Sequence, residues 1–265
     1  MRSFTTLGLA TLVAAASMAG AQAQTQTIAA NSTYQVGNSG IKTGTSKTTG
    51  ITFISNTYMD VEGTATGPST NPSQYEAFGV LDFAATPVAN VSGINSLTLS
   101  LQDAPLSFTA PGTLNFYLAS STTQYTPSTA GNLIYNPTDT TTGGIGTQLG
   151  TLYSLGSGIY NSTGTAGGNQ TYNFTLNLAT PTAQAQFLRE LNGGDIRLAV
   201  TGATPTVVGT FYGSNASMAG TPGAAPTLSF SANAPVPEAS TTASFGLLLV
   251  LGLGGIVVAR RRKQA

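Results

Sequence analysis

Residues 96–102 read SLTLSLQ. Leu97, Leu99 and Leu101 alternate with Ser96, Thr98 and Ser100 without a break. Successive side chains of a strand point to opposite faces, so the leucines share one face and the hydroxyls the other; a helix would scatter both sets around its axis. One dry face and one wet face is the pattern of an antiparallel sheet packed on a second layer.

The same alternation recurs along the chain. In TYNFTLNL (171–178), Tyr172, Phe174, Leu176 and Leu178 point inward while Asn173, Thr175 and Asn177 point outward. LNFYL (114–118) places Leu114, Phe116 and Leu118 on one face, DIRLAV (195–200) places Ile196, Leu198 and Val200, and PTLSFSA (226–232) places Leu228 and Phe230. FGVLDF (78–83) differs, because Phe78 and Val80 occupy one face and Leu81 and Phe83 the other. It reads as a central strand covered on both sides. GITFIS (50–55), YMDVEG (58–63), QLGTLYSL (148–155) and TVVGTFYG (206–213) read as further strands. The expected fold class is all-β: an antiparallel β-sandwich or jelly roll with one short helix.

For that helix, Thr180 suits the N-cap, Pro181 the first helical position, and Gly193 a left-handed terminus. Ala183, Phe187, Leu188 and Leu191 then fall on one face, so the helix should plug an end of the sandwich. The Thr-, Gly- and Pro-rich stretches 38–50 and 124–146, and the stretch 161–170, read as long loops, which serve either as binding surfaces or as flexible connections.

The two ends of the 265-residue chain read differently from its middle. Arg2, an apolar stretch from Leu7 to Ala16 and the small-residue triplet Ala21-Gln22-Ala23 compose a secretory signal peptide over 1–23, with Gln24 as the new N-terminus. A buried N-terminal helix has no reason to reproduce those three features in order. The expected organisation is a signal peptide at 1–23, a β-sandwich ectodomain at 24–232, a linker at 233–242, a transmembrane helix at 243–259 and a basic cytoplasmic tail at 260–265.

Between Gln24 and Glu238 stand four bases and nine acids, hence a net charge of −5. Nucleic-acid binding displaces phosphate counterions with clustered bases, and four scattered ones do not do that. The chain has no cysteine and no histidine. Disulfides and thiolate sites are thereby excluded, as are the commonest general base and zinc ligand.

From Ala239 to Ala259 no residue is charged, and these 21 residues are followed at once by Arg260, Arg261, Arg262 and Lys263. At about 1.5 Å per residue such a run crosses a hydrocarbon core of roughly 30 Å, and the basic cluster resists translocation. The N-terminal side would therefore lie outside and the basic end in the cytoplasm. Gly246, Gly252, Gly254 and Gly255 lower helix propensity, which makes the run a mediocre permanent anchor.

Val236, Pro237, Glu238 and Ala239, a short polar spacer, the apolar run and the arginine cluster together resemble the PEP-CTERM sorting signal. Ala239 stands where that family usually has a second proline. The resemblance covers Val236 to Lys263 and implies processing by an exosortase, a membrane protease or transpeptidase of Gram-negative bacteria that make extracellular polysaccharide. It also implies transient residence in the inner membrane, after signal peptidase has removed the leader. The ectodomain, over about residues 55–232, resembles a DNRLRE-type jelly-roll module through AFGVLDF, SLTLSL, LNFYLASS and RLAV, and through a closing segment with Phe211, Gly213, Ser214, Pro226 and Leu228. The Arg and Glu positions of that family are not matched, and Ser217 stands where an acid is expected. Some relatives of that module bind polysaccharide.

Candidate chemistry is sparse. Asp60, Glu62, Glu76 and Asp82 lie on or near strands, with Asp60 and Glu62 sharing one strand face, and they read as solvated outward residues or strand-end charges rather than a glycosidase pair, which must converge across a cleft. No catalytic residue and no metal site is assigned. No cofactor is expected; calcium is the one ion that such a domain would accommodate, although no D-x-D-x-D loop is present and Asp139 stands alone among threonines. Tyr125, Tyr135 and Tyr160 fall in loop-like sequence and are the candidates for stacking on sugar faces. These readings lead to a non-enzymatic structural or adhesive protein of the cell surface or extracellular matrix, with exopolysaccharide or other envelope components as partners. The alternatives are a carbohydrate-binding module for exopolysaccharide, a glycan-active enzyme using carboxylates alone, and a permanent single-pass membrane protein.

Overall fold

The computed structural model describes residues 23–38, 50–53, 57–63, 76–87, 91, 93–105, 109–120, 141–162, 169–218 and 221–233. Thr25–Ala232 forms one compact unit. The signal-peptide, sorting-motif and apolar stretches, with Ala21, Val236, Pro237, Glu238, Ala239 and the Arg260–Lys263 cluster, lie outside the described residues. Among the described residues no helix is long and apolar enough to cross a membrane.

In chain order the elements are β1 (Gln24–Asn38), β2 (Gly50–Phe53), β3 (Tyr58–Glu62), β4 (Ala77–Ala84), β5 (Ile94–Gln102), β6 (Gly112–Ala119), β7 (Leu152–Tyr160), β8 (Thr171–Leu176), α1 (Pro181–Gly193), β9 (Asp195–Gly202), β10 (Val208–Tyr212), β11 (Ser217–Met218), β12 (Thr221–Pro222) and β13 (Thr227–Ala232). The main sheet runs β7-β6-β9-β4-β1-β13-β5-β8, with β2 on β1 and β3 joining β10 to β4. Pairing is antiparallel, as the alternation requires: Leu99 of β5 stands between Leu228 of β13 and Phe174 of β8.

β1 belongs to both layers. Its later half pairs with β4, Tyr34 opposite Val80, and its earlier half runs beside β13, where Ala30 N donates to Pro226 O at 2.8 Å and the Thr27 and Ser229 hydroxyls meet at 2.9 Å. The register on β4 shifts between Ala30 and Ser32. A strand changes sheets at such an irregularity, because the extra residue bends it. At the other edge β7 and β8 approach each other again, and Asn177 N donates to Leu155 O at 2.9 Å, so the sheet is nearly a closed barrel.

The inward residues of β5, β8 and β13 meet those of β4, β6 and β9 in one core, which includes Leu81, Phe83, Leu97, Leu99, Phe116, Phe174, Leu198 and Phe230. Phe116 and Phe174 bridge the layers with ring centroids 4.8 Å apart. Each such side chain contributes roughly 1.5–3 kcal/mol by leaving water. Phe187 of α1 meets Phe230 edge-on at 5.5 Å, and Ala183 and Leu191 are buried with it, so the helix closes an end of the sandwich as its apolar face dictates. Where β3 passes β4 the chain has Gly79, and a Cβ there would lie 2.1 Å from the Met59 sulfur.

A second apolar cluster lies on the opposite face of β4. It gathers Tyr34, Val36, Phe78, Val80, Ala119 and Ala199 beneath Ile145 and Leu149. FGVLDF is thus covered on both sides, with Phe78 and Val80 in one cluster and Leu81 and Phe83 in the other.

Three details depart from the sequence reading. Gly194 (φ 87°), not Gly193, takes the left-handed position after α1, because the helix runs one residue further than expected. Leu188 is only half-buried, and the buried helix face carries Gln186 and Glu190 instead. The described end of the 124–146 stretch folds back as cover, with Ile145 fully buried in the second cluster.

Leu99→Ala is expected to cost about 3 kcal/mol in urea unfolding, through lost transfer energy and an unfilled cavity. Thr98→Ala, one residue along on the wet face, is expected to change stability by no more than about 0.5 kcal/mol.

Candidate functional site

The few charged side chains of the sandwich are mostly inside it. Asp82 of β4 and Arg197 of β9 stand directly opposite each other, with Nε to Oδ1 at 2.6 Å and Nη2 to Oδ2 at 2.7 Å. Arg197 is 1% exposed and Asp82 7%. This fork-to-fork geometry satisfies both carboxylate oxygens at once, which a buried charge requires. Burial, followed by the Asp82 charge, holds the Tyr34 phenol above its ordinary range.

The return from α1 into β9 makes a small polar pocket. Thr180 Oγ1 accepts from Ala183 N at 3.1 Å to start the helix, and Gly194 N donates to Leu191 O at 3.2 Å to end it. Between these caps the buried Gln186 amide donates to Glu190 Oε1, Arg189 donates to Gln186 Oε1, and the Arg197 backbone N–H donates to Glu190 Oε2 at 3.4 Å. A cavity of about 230 Å³ opens here, lined by Ser120, Gln186, Arg189, Glu190, Gly193 and Asp195. Burial pushes the Glu190 carboxyl up to about 7, against the pull of its hydrogen bonds and of Arg189 and Arg197.

Beyond the end of β5, Asp103 accepts from the Tyr160 hydroxyl at 2.8 Å and the Tyr172 hydroxyl at 3.2 Å. The Tyr160 ring packs edge-on against Tyr172 at 4.8 Å and Phe211 at 5.3 Å. Burial raises the Asp103 carboxyl, and the two phenols lower it. Both tyrosines are raised in turn, chiefly by burial. Tyr160 ends β7 and is fully buried, so it offers no face to a sugar, contrary to its reading as a loop residue.

Asp60 and Glu62 share a face of β3, as their spacing predicts, but that face is half-buried rather than open to solvent. Asp60 Oδ1 and Glu62 Oε2 are both buried without a hydrogen-bond partner. Burial raises the Asp60 carboxyl, and burial followed by the Asp60 charge pushes Glu62 up to about 8. Glu76 is 2% exposed, and with Asp82 it too departs from the expectation of outward strand charges. The physical reason is that β4 has no wet face and β3 is pressed against β4 and β10. Among the described residues no three acids gather as a cation would need.

A wider cleft, about 400 Å³, opens at the seam between β7 and the segment leading from β8 to α1, lined in part by Tyr153, Ser154, Gly156, Asn177 and Thr180. Two residues of β7, Leu155 and Gly156, stand opposite Phe116 alone, and Gly156 (φ 96°) has open space where a Cβ would be.

Of the residues singled out in the sequence, Ala23 and Gln24 are exposed at the start of β1, Tyr160 is buried, and Tyr125, Tyr135 and Asp139 lie outside the described residues. The structure brings together groups the sequence reading left apart. Asp103 was within reach, because it continues the inward parity of Leu97, Leu99 and Leu101. Arg197 and Glu190 carried no comparable signal, since their pairing depends on which strands become neighbours.

No family model matches the chain, and no curated protein does. Among solved structures, the chain is similar to the K1 cleaved adhesin domain of Lys-gingipain from Porphyromonas gingivalis W83, at 12% identity over 80% of this chain and 99% of that one, with a TM-score of 0.29. The fold described above rests on this chain's own strands and registers.

Breaking the buried pair by Arg197→Met or Asp82→Asn alone is expected to cost about 3–5 kcal/mol in chemical unfolding. The double replacement Asp82→Leu with Arg197→Met should cost less than either single change, since neither charge is then stranded. Stability should also respond to pH through Glu62 and Glu190. Their folded pKa values lie above the ordinary 4.5, at about 8 and about 7, so the folded state holds the proton more tightly. The resulting stability is fully present below about pH 4.5 and is lost as pH rises through 7 and 8. The thermal midpoint should therefore climb on acidification from pH 8 to pH 5, and Glu62→Gln should flatten the upper part of that climb.

Proposed function

We propose that this chain is exported and that its tail delivers the Thr25–Ala232 sandwich to the cell surface or the exopolysaccharide matrix of a Gram-negative bacterium, where it serves as a structural or adhesive part rather than an enzyme. The observation that carries this reading is the order of features between Val236 and Lys263: motif, polar spacer, uncharged run and basic cluster, in a chain that also starts with a leader-like sequence.

The sandwich supports the reading in two ways. All of the strands from β2 to β13 lie within Thr25–Ala232, so a cut before Gln24 and another near Glu238 would leave them whole. Two of its buried carboxylates are spent on partners within the fold: Asp82 on Arg197, and Asp103 on two phenols.

Mass spectrometry of the exported protein is expected to find Gln24 at the N-terminus and no peptide containing Arg260. Intact C-terminal peptides in the exported pool would overturn the sorting step. A chain ending at Asn233 should be released rather than retained at the surface, and its retention would equally count against the tail as the address.

A further inference from the structure

The outer face of the β13-β5-β8 layer carries hydroxyls and amides in register. Ser229, Thr98 and Thr175 form one rung, which Thr27 extends through its 2.9 Å hydroxyl contact with Ser229. Thr227, Ser100 and Asn173 form the next, with Ser100 donating to Asn173 Oδ1 at 2.6 Å. Ser231 and Ser96 form a third, their hydroxyls 2.8 Å apart. None of these positions carries a charge.

The parity that places Asn173 and Thr175 outward continues to Asn177, which lines the 400 Å³ cleft at the β7–β8 seam. The row of hydroxyls and amides therefore leads into a recess. Inside it stand Tyr153, half-buried against the core, and the exposed Ser154 and Asn177. No Asp, Glu, Lys or Arg lines the cleft. Its volume is that of a small-ligand site, and the open position at Gly156 keeps its wall low.

The geometry points to a binding site for a neutral saccharide chain, one residue of which sits in the cleft against Tyr153 and Asn177 while the chain continues over the Ser/Thr/Asn face. A pyranose offers an apolar face for an aromatic ring and a rim of hydroxyls that both donate and accept. The amide of Asn177 and the hydroxyls of the outer face also do both. A charged polymer finds no counter-charge here. Leu152 and Ala179 add apolar surface to the cleft beside Tyr153, but beyond it the rungs of the outer face offer an apolar ligand hydroxyls and amides, which makes a neutral polyol with an apolar ring face the matching chemistry. This site stands apart from the export reading, because a chain retained in a membrane would bind the same ligand.

The test uses the purified full-length chain in detergent, titrated calorimetrically with maltohexaose, cellohexaose, laminarihexaose and mannohexaose, and with an oligogalacturonate as the acidic comparison. Saturable binding of at least one neutral hexasaccharide is expected. Tyr153→Ala should weaken it roughly tenfold, and Asn177→Ala severalfold. Ile159→Ser, at an exposed site on the same strand outside the cleft, should leave it unchanged. Thr175→Lys should weaken binding as well, by placing a charge on the outer face. If Tyr153→Ala lowers the thermal midpoint, Ser154→Trp replaces it as the deciding variant, since it fills the cleft from an exposed position. No neutral hexasaccharide bound at about 10 mM, preference for the acidic oligomer, or full affinity in Asn177→Ala together with Tyr153→Ala or Ser154→Trp would each overturn the proposal.

Discussion

With no cysteine to cross-link it and no histidine to help hold a metal, the sandwich depends on apolar contact, and that contact is concentrated on β4. Phe78 and Val80 press into one cluster while Leu81 and Phe83 press into the other. A strand with a wet side contributes about half its side chains to a core, whereas β4 contributes nearly all of them. It also holds β1 and β9 as neighbours, so the sheet is organised outward from it. Removing an apolar group from β4 would loosen one of two cores that share a backbone, and interiors at crystal-like density relax only partly around such a loss.

That two-sided burial also decides where the charges go. Asp82 sits in the middle of β4 and has no solvent to face, so the fold supplies Arg197 directly across the ladder. The pair need not make the protein more stable than an apolar pair would; such pairs often roughly break even against their desolvation cost. What it does is forbid a slip of β9 against β4. A shift of β9 by one residue would turn Arg197 to the other face, into the main core, and leave Asp82 without its partner on the face of the second cluster. Asp103 works similarly at the end of β5, where its two phenol partners come from β7 and β8 and tie three strands to one carboxylate.

The period-two signal made most of this legible. Strands with one wet face, such as β5, β8 and β13, declare themselves, because hydration forces the alternation that the eye reads. FGVLDF was legible for the opposite reason, since apolar residues on both faces admit only a central position. β1 was not, because it serves one layer with its first half and the other with its second, and the shift near Ala30 breaks any single parity. Tyr160 reads as a loop residue in the sequence because Gly156, Ser157 and Gly158 imitate the end of the strand begun at Leu152, whereas the ladder to β6 carries that strand on to Tyr160. The carboxylates were misread for a related cause. Local sequence shows that Asp60 and Glu62 share a face, but only the tertiary arrangement decides whether that face meets water.

The surface that remains is unusual in its chemistry. Asp82, Asp103, Glu76 and Glu190 are buried, and Asp82 is neutralised by Arg197. Burial also pushes Glu62 up to about 8 and Glu190 up to about 7, so at neutral pH the nominal charge of −5 on the Gln24–Glu238 stretch overstates the field outside. What faces solvent on the β13-β5-β8 layer is hydroxyl and amide, whose interactions are short in range and need contact. Recognition by such a surface is nearly indifferent to ionic strength, because screening acts on separated charges and leaves a direct hydrogen bond largely untouched. Long-range steering is weak in the same measure, so association should proceed at the rate of unsteered encounter. A face of this kind discriminates by fit and by the number of donors and acceptors matched at once, and single contacts count for little. It suits a partner that is itself long, repetitive and uncharged, where many weak contacts along one chain replace the few strong ones the sequence lacks.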